Sequence, residues 1–187
     1  MDIIKSIQKM KAIIVFTALL AVSLAFTIED PFKKSDIPPP QTVPYVNLSK
    51  YVGLWYQQAE IPFFFEHGCT DSTAQYSMNS NGTVKVNNTC IRNGKTVSAI
   101  GQAVPEDNTN SKLKVSFSET FNIGAPYWIV RLASDYSYSV VSDPNYRYLW
   151  ILYREPTMPQ PLYNAIISSL AQDNFPVSKI QQTPYTG

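Results

Sequence analysis

From residue 53 onward the chain alternates apolar and polar positions with the period of two that marks a half-buried β-strand. Ala74, Tyr76 and Met78 share one face of their run. Val84 and Val86 oppose Thr83, Lys85 and Asn87, and Leu113, Val115 and Phe117 alternate with Lys112, Lys114 and Ser116. Such runs cover Leu54 to Phe64, Ser72 to Met78, Thr83 to Cys90, Thr96 to Val104, Lys112 to Phe117, Tyr127 to Leu132, Ser137 to Val141 and Tyr148 to Arg154. Eight strands with short connections predict an all-β fold, an eight-stranded antiparallel up-and-down barrel. Pro62 interrupts the first run, which suits a bent or bulged strand. Ala99, Gly101 and Ala103 give the fourth run one small-residue face, which permits close approach at a barrel corner. Only Pro161 to Gln172 changes period, with Leu162, Ile166, Ile167 and Leu170 at helical spacing. This C-terminal α-helix has one apolar face and is expected to pack outside the barrel. A last short strand near Lys179 to Gln182 is expected at a barrel edge.

Three blocks support closure: Gly53-Leu54-Trp55-Tyr56, then Asp135-Tyr136, and Arg154 at the end of Leu149-Trp150-Ile151-Leu152-Tyr153. A Trp opening the first strand meets an Arg closing the last only if the sheet curls round on itself. A guanidinium over a Trp ring gains ~0.5–2 kcal/mol, and its donors can satisfy carbonyls at the closed end.

With 187 residues the chain has room for one full domain and little more. The net charge of +1, with charges scattered, argues against nucleic acid or an anionic surface as the main partner. Lys5, Lys9 and Lys11 precede the uncharged apolar run Ala12 to Phe26, with Ser23 and Ala25 placed for a cut after Ala25. This is a secretory signal pattern over residues 1–25. The alternative is an uncleaved anchor, for which the run falls short of the ~20 residues that span a bilayer. Residues 26–44, rich in proline, form an extended leader, and residues 45–187 the barrel domain with its helix. The mature chain is expected to be secreted, extracellular or periplasmic.

Secretion makes Cys69 and Cys90 a disulfide pair, nearly symmetric about the turn Asn79-Ser80-Asn81-Gly82. Strict alternation from Tyr76 and Val86 places the two cysteines on opposite faces, so the bridge requires a bulge or loop at Gly68-Cys69. The alternative is two free thiols, one of them catalytic. Asn47, Asn81 and Asn87 begin sequons that a eukaryotic secretory pathway would glycosylate. Three consecutive aromatics, Phe63-Phe64-Phe65, cannot all face inward. They pack at the rim or offer an apolar edge for transient membrane contact. His67 is the only histidine, so neither a metal site nor a Ser-His-Asp triad is argued.

In these blocks the chain resembles the lipocalins. Gly53-Leu54-Trp55-Tyr56 is similar to their first signature, Ala133-Ser134-Asp135-Tyr136 to the second with Ser134 in place of Thr, and Arg154 to the Arg of the third. The resemblance covers Tyr45 to Tyr185 and is closest to the branch of apolipoprotein D and the bacterial outer-membrane lipocalin. It implies that Gly53, Trp55, Asp135, Tyr136 and Arg154 close the barrel, and that Tyr76, Asn88, Phe117, Trp150 and Leu152 line a ligand cavity. Strand parity adds Val86 to the same inner face. The same residues would also fill a dry core, because an eight-stranded barrel is just wide enough for either. Asn88, buried, requires the Tyr76 hydroxyl, water or a ligand head group.

The resemblance implies binding and transport or storage of a small hydrophobic ligand, a fatty acid or lysophospholipid, by a monomer or weak dimer. No cofactor, metal or enzymatic step is expected, because the cysteines read as paired and the sole histidine lies near a loop. The rival readings are a lipocalin-like enzyme on a lipophilic substrate and a cell-surface protein-binding module with a filled barrel.

Overall fold

The computed structural model describes residues 37–62, 66–117 and 124–185. The expected signal segment, the first part of the leader and Phe63-Phe64-Phe65 lie outside the described residues. A short helix α1 (Leu48–Tyr51) precedes eight strands: β1 (Gly53–Ile61), β2 (Cys69–Met78), β3 (Val84–Arg92), β4 (Lys95–Pro105), β5 (Lys112–Phe117), β6 (Ala125–Leu132), β7 (Tyr138–Ser142) and β8 (Leu149–Tyr153). Helix α2 (Gln160–Gln172) and the two-residue strand β9 (Gln181–Gln182) follow.

Each strand pairs antiparallel with the next, β8 returns to β1, and β1 also pairs β2, which closes the barrel. β9 adds to β1 at Ala59 and Glu60. Closure covers most of the edge that an open sheet leaves exposed. The expected eight-stranded barrel with an outer helix is therefore the observed fold. α1 was not among the expected elements: Asn47 Oδ1 accepts from the Lys50 N–H and caps one turn at the barrel's floor.

The two faces of the wall have separate cores. Inside, Trp55, Tyr76, Val86, Leu113, Ile129 and Leu152 form one buried cluster. Outside, Val130, Val140, Leu149 and Ile151 form another beneath Ile166 and Leu170 of α2. The end of the leader has no regular structure but is docked. Val43 N–H donates to Ile129 O at 2.9 Å, Val46 N–H to Thr109 O at 2.8 Å, and Val46 is fully buried.

The disulfide forms, by a route that differs from the expected one. The extra residue lies between Thr70 and Thr73, where the ladder shifts register and Asp71 takes φ 54°, and not at Gly68-Cys69. One inserted residue restores Cys69 to the face of Cys90, with Cα atoms 5.5 Å apart. A polar residue with a short side chain tolerates the left-handed conformation that this bulge needs.

Candidate functional site

The floor is built from Trp55 and Arg154. The guanidinium lies 3.6 Å above the Trp55 ring, and Trp55 Nε1 donates to Tyr51 O at 2.8 Å. Arg154 directs its donors at the carbonyls of Leu54 (2.8 Å), Lys50 and Tyr51 (3.0 Å), Val52 (3.1 Å) and Tyr136 (3.2 Å). Its planar fork ties α1, β1 and the β6–β7 turn together, and a side chain with fewer donors would leave carbonyls unpaired. Gly53 has φ +105°, and a Cβ there would meet Arg154 Nη1 at 3.2 Å. Asp135 Oδ1 accepts from Ser137 N–H at 3.0 Å to fix the turn, and the Tyr136 hydroxyl accepts from Asn47 N–H at 3.0 Å. A shallow cleft of about 490 Å³ lies outside this floor, lined by Lys50, Ser134, Asp135, Tyr136, Ser137 and Arg154. Its Arg154 is already committed to backbone carbonyls.

Above the floor sits a cluster of hydroxyls. Tyr51 Oη is 2.8 Å from Tyr127 Oη and 3.0 Å from Ser139 Oγ, and Tyr76 Oη is 3.2 Å from Tyr127 Oη. Burial pushes the Tyr51 hydroxyl up to about 12, and burial likewise raises Tyr76 and Tyr127 well above the ordinary phenol value. The cluster is neutral, and each hydroxyl is a satisfied donor or acceptor within an apolar wall.

The sequence-predicted wall residues come together here. Tyr76, Val86 and Leu152 belong to the inner cluster, with Phe117 and Trp150 packed against it. Asn88 pairs across the ladder with Ala74 and Ala99 on the same inward face. Its Oδ1 is buried with no hydrogen-bond partner among the described residues, and the Tyr76 hydroxyl expected beside it turns to Tyr127 instead. Phe117 lies across Gly101, where a Cβ would come within 2.7 Å of the Phe ring and 2.5 Å of Ser116 O.

Towards the mouth the wall becomes polar. A register shift between Gln57 and Ala59 turns Glu60 to the inside, opposite Trp150. Trp150 Nε1 donates to Glu66 Oε1 at 3.0 Å, and Gln57 Nε2 to Glu60 Oε2 at 3.2 Å. Burial first, then the hydrogen bond and negative charge of Glu66, push the Glu60 carboxyl up to about 8. Arg92 Nη2 donates to Cys69 Sγ at 3.3 Å beside the disulfide.

Tyr51, Tyr127, Ser139, Glu60 and Glu66 were not among the residues expected from the sequence. Tyr127 and Ser139 share parity with Ile129 and Val141 and were open to the same count. Glu60 was not, since strict alternation from Trp55 places it outside. Of the sequon asparagines, Asn81 is exposed at the β2–β3 turn, whereas Asn47 and Asn87 are half-buried. Among the described residues no group of three His, Cys, Asp or Glu is placed to hold a metal ion.

Residues 46–185 match the family model of the lipocalin-like domain. Apolipoprotein D of Macaca fascicularis is 39% identical over 146 residues, covering 72% of this chain and 75% of that protein. Outer membrane lipoprotein Blc of Citrobacter freundii is 30% identical over 172 residues, covering 89% and 94%. The solved structure of lobster apocrustacyanin A1 shares the fold, with a TM-score of 0.61 at 18% identity over 82% of this chain and 93% of that one. The family match, the two relatives and the sealed barrel agree, and the chain belongs to the lipocalin family.

Proposed function

We propose that the protein binds a single-chain lipid, a fatty acid or lysophospholipid, inside the barrel and carries or stores it. One observation carries the reading. Phe117 and Trp150 are on the inward face yet only half-buried, and Val97, cross-strand partner of inward Cys90, is 37% exposed. In a filled barrel these apolar groups would be covered as completely as Trp55 and Ile129, which are at 0%. Apolar surface left uncovered on the inner face of the barrel is the surface that an alkyl chain would cover, gaining roughly 0.8 kcal/mol per CH₂. Ordering costs offset part of that and still leave micromolar affinity within reach. The similarity to a protein named apolipoprotein D agrees with a lipid ligand.

The bridged cysteines support a carrier over a thiol enzyme, and they fit a secreted or periplasmic protein. Lipid extracted from the purified protein and read by mass spectrometry tests the reading, and a stoichiometric single-chain lipid is the expected result. Trp150→Ala is expected to weaken binding of a dansyl-labelled fatty acid about tenfold while the barrel stays folded by circular dichroism. Unchanged affinity would remove Trp150 from the ligand's path.

A further inference from the structure

The barrel wall is incomplete between its first two strands. β1 and β2 pair only from Gly53 to Tyr56 against Thr73 to Tyr76. Beyond Tyr56, β1 pairs β8 on one side and β9 on the other, while β2 bulges between Thr70 and Thr73. The split leaves Gln57 without a partner on β2 and Ser72 without one on β1, on residues only 8% and 6% exposed. Buried carbonyls need donors, and the carbonyls of these two residues share a single hydroxyl proton. The Tyr185 hydroxyl lies 3.0 Å from Gln57 O and 2.8 Å from Ser72 O. Thr183 N–H donates to Gln58 O and Asp71 N–H to Pro184 O, each at 2.9 Å. The C-terminal segment therefore spans the split like a stave, bonded to both neighbours.

Its attachment is slight. β9 has two residues, both exposed, where a strand ordinarily has about five. Both cysteines are used between β2 and β3, so no covalent bridge ties the segment down. Where a stave fits between two strands, those strands stand roughly 10 Å apart, twice the ordinary spacing. The segment also touches the cavity lining. Gln57 Nε2 donates to Thr183 Oγ1 at 3.2 Å and also to Glu60, which is hydrogen-bonded to Glu66, and Glu66 accepts from Trp150.

We propose that Gln181–Tyr185 is a releasable stave, and that its lifting opens a lateral passage between β1 and β2 through which the lipid chain enters and leaves. The use of the passage rests on the lipid-binding reading above, whereas the opening is a property of the ligand-free protein. Two measurements keep these apart. Hydrogen exchange of the ligand-free full chain is compared with Tyr185→Phe and with a chain ending at Ile180. Exchange about tenfold faster in segments 57–61 and 69–73, with the remaining strands unchanged, is expected. Equal protection in a folded Tyr185→Phe protein would overturn the proposal whatever the protein binds.

The second measurement follows dansyl-labelled undecanoic acid by stopped flow. Association and release are both expected to quicken about tenfold in Tyr185→Phe while Kd moves less than threefold, as for a gate that leaves the bound state alone. A weaker Kd with unchanged association would mean a merely loosened site and would also overturn the passage. If the natural protein binds no labelled fatty acid, the lipid reading fails and hydrogen exchange alone decides the stave. If the shortened chain does not fold, Tyr185→Phe still decides.

Discussion

At the scale of single residues, the floor and the mouth of the barrel obey different physics. Arg154 is half-buried yet stable as a cation because five carbonyls and an indole face surround it. Arg154→Ala is expected to cost about 3 kcal/mol or more, read as a drop in Tm, because it orphans carbonyls at the closed end. Arg154→Lys keeps the charge without the fork and should recover only part of the loss. Glu60 shows the opposite behaviour. Its folded pKa stands above its unfolded value, so the native state holds a proton that the unfolded chain releases. Stability should therefore fall as pH rises from the ordinary carboxyl range towards about 8. Glu60→Gln, which keeps the hydrogen-bonding shape without the titration, should flatten that slope in denaturant melts between pH 5 and 8. A variant that keeps the full slope would exclude Glu60 as its source. Trp55 and Arg154 were legible in the sequence because their roles need only strand ends and closure. Glu60 was not, because one bulged residue reversed its side.

At the scale of elements, α2 and the β2–β3 hairpin stabilise the barrel from outside and within. Leu170 is fully buried against the outer face of the sheet. Leu170→Ala should cost about 2–5 kcal/mol and leave lipid affinity unchanged, because a whole strand layer separates it from the cavity. Thermal melts and the dansyl titration measured on one preparation check both halves. The disulfide joins residues 21 apart in sequence, a loop length for which chain entropy predicts roughly 3 kcal/mol. Replacing both cysteines by alanine should lower stability by about that amount in a urea melt. The helix was readable because its period switches from two to 3.6, and its apolar stripe requires a partner face. α1 was not, since one turn has no period to read and only its Asn47 cap marks it.

At the scale of the whole molecule, alternation alone set eight strands, and eight strands with short connections have few arrangements besides an up-and-down barrel. Period-two patterning is a local property of the chain, so sequence was sufficient for the strands, the outer helix and the inward set Tyr76, Val86, Asn88, Phe117, Trp150 and Leu152. Whatever depends on the register between paired strands, or on contacts across the barrel, was decided only by the tertiary structure. The bulge at Asp71 that lets Cys69 meet Cys90 is of that kind, as are the hydroxyl cluster joining Tyr51 to Tyr127 and the gap between β1 and β2 that Tyr185 spans. The bulge and the gap arise from a mismatch of one or a few residues between paired strands, and the hydroxyl cluster from the approach of α1 to β6 inside the barrel. The need for a bulge could be read from the two cysteines, but its position exists only in the pairing, because neither strand alone records which residue of the other it faces.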